Sequence, residues 1–305
     1  MTDFLQNLAN GLSTGAIYAL IALGYTMVYG ILRFINFAHG ELFMVGAYTG
    51  ALLGEKIASK FTGHSCWFGA ILVLLIAMTV SALLGVVIER LAYRPLRNGP
   101  KINVLITAVG ISLLLQNLVQ VCFGATPRAF PDLLAGVENR SYEFHGVFLT
   151  LEQLLAAGAT VLLLAVLWVV VRFTKTGLAL RALAQNRPAA ALMGVNEDRV
   201  ISFTFALGSA LAAAGGVLYA MNYPSVEPYM GLMPGVKAFV AAVLGGIGSL
   251  PGAVIGALTL GLAETFASAN ETLSSYRDGI AFALLIVLLL FRPAGLLGKI
   301  EREKV

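Results

Sequence analysis

The chain has 305 residues, 58% of them hydrophobic and only 12% charged, with a net charge of +4. A soluble domain is about a quarter charged, so this composition, with a mean hydropathy of +0.85, argues against a soluble globular enzyme. The 33 glycines fit closely packed membrane helices.

Asp3 and Arg33, Lys60 and Glu89, Lys101 and Arg128, Glu152 and Arg172, Arg199 and Glu227, and Lys237 and Glu264 each bracket a long stretch without Asp, Glu, Lys or Arg. About 20 apolar residues cross the hydrocarbon core as a helix, whereas a β-barrel would show short alternating segments. The expected fold is an all-α polytopic membrane protein. Spans are expected near 8–30, 41–58, 68–88, 102–123, 151–171, 201–221, 235–249, 252–268 and 277–291. Two of them, 41–58 and 235–249, are short for a full crossing, so 8–9 transmembrane helices are expected, some broken or re-entrant. No stretch of 1–305 reads as a separate soluble domain. The N-terminal MTDFLQNLANG lacks the basic stretch of a signal peptide, so the first run is expected to stay as a membrane helix. Cys66 and Cys122 read as small hydrophobes, not as a disulfide or metal framework.

Basic residues set the expected orientation. Arg90, Arg94, Arg97 and Lys101 form one cluster, Arg172, Lys175, Arg181, Arg187 and Arg199 a second, and Arg292, Lys299, Arg302 and Lys304 a third. With spans 102–123 and 151–171 between the first two, all three fall on the cytoplasmic side. The loop 124–150, with Pro127, Pro131, Asp132, Glu138 and Glu143, then lies outside, as does the N-terminus.

In chain order, the first segment of interest is Arg33-Phe-Ile-Asn36-Phe-Ala-His39-Gly40-Glu41. It reads either as a turn with Asn36 capping the next helix or as a helix break lining a pathway, where freed backbone groups meet protein or water. The loop 172–200 contains GLALRALAQNRPAAALMG (177–194). Leu178, Leu180, Leu183 and Ala184 give a short helix an apolar face, Pro188 breaks it or opens a second helix, and Gly194 supplies a left-handed stop. Its alanine-rich face suits docking into a protein groove better than lying in lipid. Lys237 is expected to snorkel to the outer interface, and Glu264 lies near the outer end of its span; lining a cavity is the alternative for both. GGIGSLPG (245–252) reads as a helix reversal, also compatible with a pathway break. No G-x-x-x-x-G-K-[ST] string exists, so the chain lacks that phosphate loop. His39, His64 and His145 are scattered and no catalytic constellation is present. GAYTGALLGE (46–55) and GAVIGALTLGLAE (252–264) echo each other, by chance or as a repeat; paired interrupted segments are a pointer to a transport path.

The strings LIALGYTMVYGILRFINFAHGELFMVGAY (20–48), ERLAYRPLR (89–97), MGVNEDRVI (193–201), EPYMGLMPGVKAFVAAVLGGIGSLPGAVIGALTLGLAE (227–264) and FRPAGLLG (291–298) resemble the LivH-type permease subunits of bacterial branched-chain amino acid ABC importers, through nearly the whole chain. The resemblance implies one inner-membrane permease domain, a second similar permease, two cytoplasmic ATPase subunits and a periplasmic binding protein. ATP would be used by those partners, with no cofactor in this chain. It implies alternating access for leucine, isoleucine and valine, with urea and short amides as other substrates of the broader family. Path residues are expected at Asn36, His39 and Glu41 and at Gly245, Gly246, Gly248 and Ser249. Coupling to the ATPases is expected at Arg181, Arg187, Ala189, Ala190 and Gly194, where an E-A-A-x-x-x-G-like stretch carries Pro188 in place of the glutamate. A stand-alone ion-coupled transporter would need intramembrane carboxylates, for which Glu41, Glu55 and Glu264 are the candidates.

Overall fold

A computed structural model describes residues 2–58, 60, 66–97, 99–135, 137, 140–144 and 146–298. His64, His145, Glu138, Lys299, Arg302 and Lys304 lie outside them. The helices are α1 (Thr2–Leu32), α2 (His39–Ala58), α3 (Cys66–Ile88), α4 (Lys101–Phe123), α5 (Leu151–Phe173), α6 (Lys175–Gln185), α7 (Arg187–Leu192), α8 (Glu197–Asn222), α9 (Leu232–Gly245), α10 (Leu250–Ser268) and α11 (Arg277–Phe291). A π-helical turn, Glu89–Tyr93, extends α3. Eight of the nine expected apolar segments lie within helices, and 235–249 overlaps α9 but runs past its end at Gly245.

Seven helices among the described residues are long and apolar enough to cross a membrane: α1, α3 with its π turn, α4, α5, α8, α10, and α11 with the turn before it. The two segments expected to be short are α2, with 20 residues, and α9, with 14. At 1.5 Å per residue α9 is about 21 Å long, less than the roughly 30 Å hydrocarbon core.

At the end of the bundle opposite α6 and α7, two small antiparallel pairings close the loops. β1 (Arg128–Ala129) pairs with β4 (Ser225–Val226), and β2 (Ser141–Phe144) forms a hairpin with β3 (Val147–Thr150). Thr150 then opens α5 with a reciprocal capping box to Gln153.

α1 and α8 form the core, while α3, α4, α5 and α11 turn apolar side chains such as Leu83, Leu114, Val161 and Leu290 outward. Small residues let the backbones approach. A Cβ on Gly15 of α1 would lie 2.8 Å from the Leu258 Cα of α10. One on Gly208 of α8 would lie 3.2 Å from the Gly24 Cα of α1, which marks where these two antiparallel helices cross.

The packing is an exchange about that crossing. α10 runs antiparallel to α1, pairing Leu262 with Gly11 and Leu258 with Gly15. α3 runs antiparallel to α8, pairing Gly85 with Ser209 and Glu89 with Ser202. α2 follows α8 in the same direction, from His39 beside Gly208 to Gly50 beside Val217. α9 follows α1, from Gly235 beside Tyr25 to Gly248, beyond its end, beside Gly30. α1, α2 and α3 therefore correspond to α8, α9 and α10 in the same chain order but with opposite orientation. The structural counterpart of the α2 string 46–55 is thus α9, not the 252–264 string of α10 that echoes it in sequence.

Candidate functional site

The first break lies inside the bundle. α1 stops at Leu32, and Arg33 takes a left-handed conformation (φ 54°) that turns the chain back. α2 begins six residues later with the His39 ring against Gly24 and edge-on to Tyr25, ring centroids 4.8 Å apart. Gly24 is eight residues from the end of α1, about 12 Å along the axis. The start of α2 is therefore deep, beside the α1–α8 crossing. Asn36 and His39 are both sealed in packing. The Asn36 side chain does not cap α2: its Oδ1 accepts a hydrogen bond from the Tyr93 hydroxyl at 2.5 Å.

Glu41, in the first turn of α2, is also buried. Its Oε1 accepts hydrogen bonds from Ser112 Oγ at 2.9 Å and Gln116 Nε2 at 2.7 Å, both on α4. Its Oε2 has no partner. Beside it lies Gly231, which precedes α9, and a Cβ on Gly235 would lie 2.8 Å from the Gly40 Cα. The N-termini of α2 and α9 thus meet. A half-open cavity of about 220 Å³ opens there, walled by Glu41, Ser112 and Gln116 on the polar side and by Val109, Leu113, Leu232 and Val236 on the apolar side.

The second predicted break, at the other end of α9, is not part of this cavity. Gly246 and Gly248 adopt φ of 102° and 95°, the region that favours glycine. Ser249 caps α10, its Oγ accepting from the Gly252 amide at 3.2 Å, with Pro251 in the first turn. Gly245 packs on Gly252 and Gly256, and Gly246 on Gly298. Gly248 and Ser249 line a separate groove of about 420 Å³ with Gly30, Arg172, Leu180 and Arg181.

Lys237 does not snorkel. It is buried, and its Nζ pairs with Glu264 at 2.6 Å and Asp278 at 2.7 Å. Glu264 also accepts from the Tyr18 hydroxyl at 2.9 Å. These residues line a polar cavity of about 550 Å³ at the end of the bundle away from α6 and α7. A buried ammonium needs such pairing, and the neighbours of Lys237 in sequence supply none.

At the opposite end, Thr174 and Asn186 cap α6 and α7 with their side chains, and Pro188 sits in the first turn of α7, so the proline opens a second helix. Leu180 and Leu183 are buried, but Leu178 points outward, contrary to the expected face. Gly194 (φ 82°) ends α7, with the Val195 amide donating to Ala190 O at 3.1 Å and the Gly194 amide to Ala191 O at 3.0 Å. Ala190 is buried and Ala189 exposed. Just before the stop, Leu192 is 89% and Met193 85% exposed. Arg181 donates to Arg172 O at 3.2 Å. Arg187 pairs with Glu197 and ties α7 to the start of α8. Burial, with the Arg97 charge nearby, lowers the Arg187 guanidinium from its usual value. Arg97 in turn pairs with Glu89 and, at 2.9 Å, with Asp198, which Arg94 also reaches.

A family model described as the branched-chain amino acid transport system permease component matches residues 7–289. The chain belongs to this family. Its relatives include the high-affinity branched-chain amino acid transport permease LivH of Salmonella typhimurium, 43% identical over 99% of this chain and 98% of that protein. BraD of Pseudomonas aeruginosa is similar to the same degree, over the same shares. A probable LivH of Methanocaldococcus jannaschii is 30% identical over 92% of this chain and 88% of its own length. The chain is accordingly a multi-pass inner-membrane transport component of the ABC class, not an enzyme.

In this permease, sequence reasoning missed the groups that surround Glu41. Ser112 and Gln116 stand four apart on α4, so they share a helix face inside a charge-free run. That polar pair was a readable signal. The Gly231–Gly235 spacing around Pro234 was another, marking the start of a short helix that backbone can approach closely.

Proposed function

We propose that the permease forms the membrane path of an ATP-driven importer for leucine, isoleucine and valine. A second, similar permease, two ATPases under the α6–α7 end and a binding protein at the opposite end complete it. In this reading the N-terminus faces outward and the α6–α7 end is cytoplasmic. The observation that carries the reading is the inverted pairing of interrupted helices: α2 and α9 meet N-terminus to N-terminus beside the α1–α8 crossing. Such repeats bind substrate near the midplane and rock about it. ATP binding by the partners would move α6 and α7, and the Arg187–Glu197 and Arg97–Asp198 pairs pass that movement to α8 and α3. The aliphatic substrates of the 43%-identical relatives' systems fit a path with apolar walls.

Uptake of labelled leucine is the test, in cells devoid of other branched-chain importers that express the whole system. Isoleucine and valine should compete, and inactivating the ATPases should abolish uptake. Competition by urea instead, or loss of uptake with a proton uncoupler at constant ATP, overturns the substrate or the energy source respectively.

The coupling role makes its own prediction. Leu192→Asp with Met193→Asp should leave the permease folded, because both side chains are exposed. A hot-spot pair is worth about 2 kcal/mol or more at an interface, so ATPase affinity should fall roughly 30-fold, read by co-purification. Unchanged co-purification and uptake would remove this contact from the interface.

A further inference from the structure

We propose that the Glu41 cavity is a subsite for the substrate's ammonium group, which meets Oε2 while the aliphatic side chain lies against α4 and α9. This rests on the importer reading above.

Four observations converge. Glu41 is a buried carboxylate with one oxygen satisfied twice and the other unpartnered, buried beside Gly231, which with Glu41 lines the cavity. An unpaired carboxylate oxygen out of water is costly, and a charged N–H donor is its strongest partner. The size is right: an apolar cavity of about 150 Å³ takes benzene, and this one has about 220 Å³. The walls are right for a branched side chain, since Val109, Leu113, Leu232 and Val236 face the same space. The place is right, at the axis of the inverted repeat, where substrate sites lie between discontinuous helices.

The alternative centre, Lys237 with Glu264 and Asp278, is already paired within itself. The Gly248–Ser249 groove has cationic residues, Arg172 and Arg181, and offers no carboxylate among its lining residues. Glu41 alone of these carries a carboxyl oxygen without any partner at the wall of a partly apolar space.

The test uses ligand-observed NMR on the purified full-length permease with the subunits that co-purify with it. The probes are L-leucine, isopentylamine, which lacks the carboxylate, and isocaproate, which lacks the ammonium. Leucine and isopentylamine should show contact with the unaltered protein and isocaproate none. Glu41→Gln, nearly isosteric, should weaken both contacts at least tenfold. An unchanged leucine signal in that variant, or isocaproate binding as well as leucine, overturns the subsite. Leu113→Trp fills the cavity mouth without touching the Glu41 hydrogen bonds. It should abolish the leucine signal, and a normal signal there overturns the subsite even if Glu41→Gln cannot be purified. Uptake by the unaltered system separates the two readings. If it imports no branched-chain amino acid, the importer reading fails; if it imports leucine and Glu41→Gln does so equally, only the subsite fails.

Discussion

Arg97→Ala destabilises the permease by roughly 3–5 kcal/mol, the cost of leaving a buried ionic partner alone. The partner is Glu89, in the π-helical turn at the end of α3, with a side chain 0% exposed against 9% for Arg97. Without the guanidinium, Glu89 keeps the Ser202 hydroxyl, which donates to its Oε2 at 2.6 Å. One neutral donor cannot balance a carboxylate that has lost its cation. Arg94→Ala is the control, because its pair with Asp198 is half-exposed and such pairs are worth about 0–1 kcal/mol. Arg97→Lys should fall between, since an ammonium cannot bridge Glu89 and Asp198 with a planar fork. Thermal unfolding in detergent, followed by size-exclusion chromatography, reads the difference. R97A should melt roughly 10 °C below the unaltered protein, and R94A close to it. Equal melting of the two variants would contradict the burial argument.

Gly216→Leu should yield no folded permease at all. A Cβ at Gly216 on α8 would lie 3.0 Å from the Phe43 carbonyl carbon and 3.1 Å from the Ala47 nitrogen, both backbone atoms of α2. Flexible side chains can step aside, but a packed helix backbone cannot. Overpacking typically costs about 1–3 kcal/mol, and more when backbone must shift. A leucine here forces α2 off α8, so the cost approaches the roughly 5–15 kcal/mol that holds a protein together. Gly110→Leu on α4 and Gly158→Leu on α5 are the comparison, because a Cβ at either meets nothing within 4 Å. Those two should give a normal monodisperse peak while G216L is recovered only as aggregate. A folded G216L would mean that α2 and α8 can separate at little cost.

The helices were legible because a charge-free run of membrane length has few other uses in a protein. What sequence does not carry is depth. The string around Asn36 and His39 reads equally as a surface turn, and only the seat of the His39 ring against Gly24 fixes it beside the α1–α8 crossing. That contact joins residues whose proximity no local pattern announces. Lys237 was misread for the same reason: Glu264 and Asp278, the charges that permit its burial, stand on α10 and α11. Glu41 was readable as a path candidate from its place beside a break. Ser112 and Gln116 were readable as a polar pair on one face of α4, but not their pairing with Glu41 on another helix. The outward turn of Leu178 shows the limit of periodicity, since a helix of 11 residues has room for two plausible apolar faces. The glycine echo between 46–55 and 252–264 pointed to a repeat but matched the wrong helices. Small residues mark where helices touch, and α2 and α10 both touch others closely for unrelated reasons.

α1 is the most enclosed of the candidate spans among the described residues, and it is made long before α10, which covers one of its faces. The α10 surface that receives Gly11 and Gly15 comes some 250 residues later. At about 5–20 residues per second, α1 waits roughly ten seconds to a minute for it. During that time its glycine face, with Ser13 and Tyr18 among the residues it will bury, is held by lipid or by the insertion machinery. The core is therefore completed, by the docking of α10, only late in synthesis. A chain ending before residue 250 has the α8 and α9 surfaces that meet α1 but lacks the α10 surface that receives Gly11 and Gly15.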